Sequence, residues 1–436
     1  MKKIRIYLDE VLSGLVKLRS DELVLNSFYL MATTVTMACF GFVFWFLVAK
    51  LYTSDQVGVA STLVAAMNFI TYVALLGFNT TFIRFLPTSK KRSKQIDTGL
   101  ILVMIAGLLI SLGYALIASH YTPDLRVLTH HWYYTLGFAL LVAFYSVNLL
   151  TDSIYVAYRS TKYKLLFSGI IAGTLQLLFA FMLHPMRSFG IFASYGIAGF
   201  VAMLLSILLL ITKFSYKPRF VIDGETLKEV VSYSSSNYVA NLLNILPTML
   251  LPMIIINKLG ASAAGYFYLA FMMGTLLFTI AYAVSQTMFA EGSYNSQHLF
   301  DLLKKSLKIV FAVMVPASLI MAIFGPIVLQ LYGKEYAEGA RSTVIILAAT
   351  GPFVAIYILG GTLLRILKRT RALIVTNAVY IVTICGLAFA WASRGLAWVA
   401  FAWLLGHVIT SLLLVAYFYL HPVLLNMTHK RTIDTP

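Results

Sequence analysis

The stretch "LLGFNTTFIRFLPTSKKRSK", Leu75 to Lys94, begins apolar, turns polar at Asn79, Thr80 and Thr81, passes Arg84 and ends in a basic run. An apolar run that stops at lysine and arginine reads as the positive-side boundary of a membrane segment. The pattern recurs along the chain. Of the residues, 60% are hydrophobic and 11% charged, with a mean hydropathy of +0.86, whereas soluble domains carry about a quarter charged residues. A hydrocarbon core about 30 Å thick needs roughly 20 apolar residues as helix. Twelve such runs follow one another, the second centred on 57–83, the fourth on 132–157, the seventh on 231–256 and the tenth on 342–366. They are continuous rather than alternating, which selects helices over a barrel. The expectation is an all-α polytopic membrane protein with twelve transmembrane helices.

The net charge of +17 raises the possibility of nucleic acid, so the placement of the charge decides its meaning. With the amino terminus cytoplasmic, 26 of the 33 lysines and arginines fall on that side. They cluster before span one, after spans two, four and ten, between spans six and seven and between eight and nine, and in the tail. Lys50, Arg126, Arg187, Lys258, Lys334, Arg341 and Arg394 fall opposite. The basicity is topological, with no nucleic acid implied, and both termini are expected inside.

Residues 1–22 form a charged leader, too polar for a cleavable signal, in which Leu8, Val11, Leu12, Leu15 and Val16 recur at helical spacing. It reads as a short amphipathic helix on the inner membrane surface or as a frayed tail. The remaining divisions are an N-lobe over 23–212, a cytoplasmic linker over 213–230, a C-lobe over 231–421 and a cytoplasmic tail over 422–436. Cys39 and Cys385 both lie inside spans, so neither a disulfide nor a metal site is expected.

An internal repeat supports the two lobes. "KLYTSDQVG" (Lys50 to Gly58) follows span one and "KLGASAAG" (Lys258 to Gly265) follows span seven. Gly58 to Arg84 and Gly265 to Glu291 both span 26 residues, laying "TTFIR" over "TMFAE". Two halves that enter the membrane in one orientation form a parallel repeat, with two six-helix lobes facing a central cavity.

The segment Asn26 to Pro87, with its Asn-led first helix, its "AKLYTSDQVG" turn and a small-residue second helix ending near Arg84, resembles the amino-terminal module of polysaccharide repeat-unit flippases. These are the O-antigen, or Wzx-like, branch of the multidrug/oligosaccharidyl-lipid/polysaccharide exporter superfamily. Length, twelve spans, two lobes and short loops extend the resemblance over the chain. It implies alternating-access movement of an undecaprenyl- or other polyprenyl-linked oligosaccharide from the inner to the outer leaflet, in the cytoplasmic membrane. Glycosyltransferases and a polysaccharide polymerase are the expected partners beside the lipid bilayer. No cofactor is implied beyond a proton or sodium gradient.

Candidate residues follow from burial costs. Asp152 is read as the carboxylate lying well inside a span. With Tyr145, Asn148, Tyr155 and Arg159 it shares one face of span four and is expected toward the cavity, as an ion-coupling site, a partner for a cavity cation or a hydrogen-bonded structural acid. Arg84, beside Asn79, suits either a pyrophosphate or snorkelling to headgroups. Arg365 is its counterpart in span ten. Span seven, "SSSNYVANLLNILPTMLLP", aligns Asn237, Asn241 and Asn244 on one face and holds Pro247 and Pro252, read as a hinge or a fixed kink. His407 in span twelve reads as a packed histidine.

Other classes fit less well. A drug antiporter of the same superfamily would place an acid in span one, and Phe28 to Val48 has none. A sugar transporter of the major-facilitator type would carry a Gly/Asp/Arg signature where "LPTSKKRSK" stands. A membrane polymerase or ligase would need a large extracytoplasmic loop, and no nucleotide-binding loop is present.

Overall fold

The computed structural model describes residues 22–294 and 299–420, apart from the side chains of 22–24, 231–237, 240, 290 and 294. The leader before Glu22 and the tail over 422–436 lie outside the described residues. The chain is helical in order: α1 (Glu22–Leu51), α2 (Ser54–Ala74), α3 (Phe78–Phe85), α4 (Arg92–Tyr121) and α5 (Trp132–Ala157). Then come α6 (Lys162–Met182), α7 (Arg187–Lys213), α8 (Gly224–Leu259) and α9 (Ala261–Tyr294). The last four are α10 (Leu299–Tyr332), α11 (Lys334–Ile366), α12 (Thr370–Trp391) and α13 (Leu396–Leu420). Among the described residues twelve helices are long and apolar enough to cross a membrane, every one except the eight-residue α3. The expected count of spans holds.

The second span is shorter than its hydropathy suggests. It stops at Ala74, Leu76 and Gly77 take positive φ (50° and 86°), and α3 restarts the chain in a new direction. α3 is amphipathic: Phe78, Thr81 and Phe82 are buried, and Phe78 and Phe82 join a core with Val147, Leu150 and Ile154 of α5. The register that laid Arg84 over Glu291 therefore ends at this break, because α9 runs unbroken past Glu291.

The linker expected over 213–230 is half helical, since α7 ends at Lys213 and α8 begins at Gly224. Contacts divide the described chain into two compact units. The first holds the residues up to Leu47, Ile70–Ala118 and Val127–Ser235; the second holds Val48–Phe69, Ser119–Arg126 and the residues from Ser236 onward. In the first, α7 packs on α5 and α6. In the second, α11 is central, packed against α9, α10 and α13.

The repeat has a physical seam within the second unit. Helix α2 starts with a capping box: Gln56 N–H donates to Thr53 Oγ1 and Thr53 N–H to Gln56 Oε1, both at 3.4 Å. One turn on, Gly58 lies against α9. A Cβ added at Gly58 would collide with the Ala261 carbonyl, and one added at Gly265 would stand 2.9 Å from the Ser54 carbonyl. Each glycine meets the carbonyl four residues before the other, the reciprocity of a two-fold relation. Ser262 Oγ also donates to Asp55 Oδ1 across a separation of 207 residues, which is the offset between Gly58 and Gly265 (265 − 58).

Candidate functional site

In the first unit, α5 ends in a left-handed turn. Arg159 has φ 51°, Ser160 N–H donates to Tyr155 O at 2.8 Å and Arg159 N–H to Val156 O at 3.1 Å, a Schellman closure. Arg159 thus leaves the helix and the polar stripe, and it is exposed. The rest of the stripe turns toward neighbouring helices. Asp152 is 3% exposed and accepts a hydrogen bond from Ser168 Oγ at 2.7 Å, with Lys164 Nζ 3.9 Å from its other oxygen. Asn148 Nδ2 donates to Ser168 Oγ at 3.3 Å, and Tyr155 OH to the Ser206 carbonyl at 2.8 Å.

Ser168 lies on a π-helical turn, Leu165–Ile171, inside α6. A wider turn shifts the side-chain register by about one residue, a device frequent at functional sites. Asn148 Oδ1 is buried without a hydrogen-bond partner among the described residues, at a cost of about 1–3 kcal/mol. The arrangement is an acid with one loose cation, one hydroxyl and an unused acceptor, a donor set suited to holding a proton or a small cation.

A second buried acid escaped the sequence reading. Asp97, 2% exposed near the start of α4, accepts from Tyr216 OH at 2.5 Å and from Arg219 N–H at 2.9 Å. Thr98 Oγ1 accepts from Asp223 N–H at 2.9 Å. The segment between α7 and α8 is thereby strapped along α4, and Asp223 then caps α8 through the Thr226 N–H and hydroxyl, at 3.1 and 2.8 Å. Those two bonds hold the Asp223 carboxyl below its usual range. Lys91 and Glu225 pair at 2.6 Å on the exposed side, which raises the lysine. The signal available in sequence was an acid inside the basic run "KKRSKQID".

Arg84 is exposed on α3, with its guanidinium 5.3 Å from the Phe85 ring centre, and Asn79 is half-buried on the same helix. Both belong to the first unit and Arg365 to the second.

The second unit brings the span-seven and span-ten candidates together. Arg365 Nη2 donates to Asn241 Oδ1 at 3.3 Å; one turn along α8, Asn244 Nδ2 donates to Tyr357 OH at 2.7 Å. Tyr357 OH donates in turn to Asn377 Oδ1 at 2.9 Å. Pro247 and Pro252 lie in α8, which is helical through both. The side chain of Asn237 is outside the described residues.

Beside this ladder is a cavity of about 200 Å³ bounded by Asn244, Phe271, Tyr357, Tyr380, Trp403 and His407 among others. Its rings are ordered against one another: Tyr357 stacks on Tyr380 at 4.7 Å and Phe271 meets Trp403 edge-on at 4.9 Å. His407, 2% exposed, bonds through Nδ1 to the Trp403 carbonyl at 3.0 Å, which leaves Nε2 as acceptor. The Trp403 indole N–H is buried with no hydrogen-bond partner among the described residues. Sequence reading named the asparagines and the histidine but not the aromatic wall, because tyrosine and tryptophan inside spans look like ordinary core.

Among the described residues twelve candidate spans are present, and solved structures of the multidrug/oligosaccharidyl-lipid/polysaccharide superfamily share this fold. The chain matches the inward closed conformation of the lipid II flippase MurJ with a TM-score of 0.75 and 12% identity, over 90% of this chain and 87% of that one. It matches an inward-facing multidrug MATE transporter at 0.67 and 14%, covering 89% and 96%. A MOP superfamily transporter from Pyrococcus furiosus matches at 0.64 and 15%, covering 93% and 97%. The polysaccharide biosynthesis protein family matches residues 47–341, and the chain belongs to that family. No curated protein sequence matches it.

Proposed function

We propose that the protein is an alternating-access flippase that moves a polyprenyl-pyrophosphate-linked oligosaccharide across the cytoplasmic membrane during polysaccharide biosynthesis. The observation that carries this reading is family membership across residues 47–341 on this fold. A fold neighbour is a lipid II flippase, which favours a lipid-linked cargo over a free one. Arg84 and Arg365 supply guanidinium groups suited to a pyrophosphate. Asp152, with Ser168 and Lys164, is the coupling site for a proton or sodium ion. Pro247 and Pro252 act as the hinge of α8. Both termini face the cytoplasm, where the basic residues cluster, and glycosyltransferases and a polymerase work beside it.

The test is reconstitution in liposomes with a fluorescent polyprenyl-pyrophosphate oligosaccharide, scoring protection from an external quencher with and without a gradient. Gradient-dependent movement that weakens in Arg84→Ala supports the reading. Ethidium transport in its place, with no lipid movement, assigns the chain to drug export.

A further inference from the structure

The aromatic cavity in the second unit has a composition of its own. Its lining is largely aromatic, and its polar residues are all neutral types, among them Asn244, Thr275, Thr279, Tyr282, His407 and Trp403. None of its lining residues is a carboxylate, a lysine or an arginine. At about 200 Å³ it is smaller than the roughly 300–1,000 Å³ of a drug-sized site, so it suits one ring of a ligand rather than a whole drug.

A single sugar ring has the complementary surface. One face of a pyranose is a patch of C–H bonds with slight positive charge, which is attracted to the negative face of an aromatic ring. Its edge carries hydroxyls that both donate and accept. Among the residues lining the cavity, His407 keeps Nε2 as acceptor and the Trp403 N–H is a buried donor left without a partner among the described residues. An organic cation would also be drawn to aromatic faces. Against it, the charged group bonded to the ladder is Arg365, a cation, on Asn241 one helical turn from Asn244. A prenyl chain would leave the Trp403 N–H without a partner and give His407 Nε2 nothing to accept from.

The geometry points to a monosaccharide subsite: the cavity of α8, α9, α11, α12 and α13 holds one neutral pyranose ring of the transported glycan, stacked on its aromatic wall. This rests on the flippase reading and adds where the glycan is recognised. Arg365, two helical turns from Tyr357 along α11, stands about 12 Å away along the axis. That is the side from which a pyrophosphate joined to the same sugar enters.

Binding of two probes to the full chain in nanodiscs tests it: undecaprenyl diphosphate carrying one N-acetylhexosamine, and bare undecaprenyl diphosphate. The wild type binds the glycosylated carrier about tenfold more tightly. Trp403→Phe, which keeps a ring and removes the N–H, and Thr279→Phe, which fills the cavity from an exposed position, each bring the ratio to about twofold or less. A ratio unchanged in both variants overturns the subsite. Equal binding of the two carriers by the wild type overturns it too, while leaving the flippase reading in place. Binding of tetraphenylphosphonium with neither carrier bound overturns both.

Discussion

Gly58 and Gly265 each press against the backbone of the other's helix, so that neither position has room for a Cβ without moving a carbonyl. Gly58→Val should therefore separate α2 from α9 and cost most of the folded yield. Gly113→Ala, at a glycine with nothing within 4 Å, should leave stability within about 1 kcal/mol of wild type or raise it. Fluorescence-detected size exclusion after a heat series reads both; equal melting of the two variants would remove the seam from the account.

Spans four and ten end alike. Lys368 has φ 56° after α11, with Arg369 N–H bonded to Leu364 O at 2.8 Å, as Arg159 does after α5. A left-handed conformation costs a non-glycine residue about 1–2 kcal/mol. Lys368→Gly should raise thermal stability by roughly 0.5–1 kcal/mol, measurable as an upward shift of the melting temperature.

Asp152→Asn keeps the shape of the side chain and an acceptor for Ser168. It should fold normally and lose gradient-dependent transport in the liposome assay. Full gradient dependence in that variant would take Asp152 out of the mechanism.

The Asp223 cap should titrate. Its carboxyl lies below the usual range in the folded state, so its contribution is present above the ordinary carboxylate value and is lost as pH falls through the lowered one. Hydrogen exchange at the Thr226 amide should accelerate below about pH 4, beyond the intrinsic pH trend. In Asp223→Asn that extra step should be missing.

Much of this fold is legible in the chain because a bilayer imposes one length and one kind of hydrogen bonding on every span. The offset between Gly58 and Gly265 is visible too, since close backbone approach demands a residue without a side chain. The break after Ala74 is not, because Leu75, Leu76 and Gly77 are as apolar as a span and only the backbone shows that they turn. Asp97 is hidden for a different reason: its partners, Tyr216 and Arg219, are more than a hundred residues away in the chain. The pairing of Arg365 with Asn241 joins two residues singled out separately, on helices whose register periodicity alone does not set.

The seam at Gly58 and Gly265 also carries a history. A contact in which each half offers the other the same surface is what two copies of a six-helix ancestor would make as a homodimer, before a duplication joined them on one chain. The capping box of Thr53 and Gln56 falls, at the same offset, on Gly260 and Ala263, and the broken second span on an unbroken α9. The glycines match while their surroundings differ: one half has a broken second span with a basic end, the other an unbroken one.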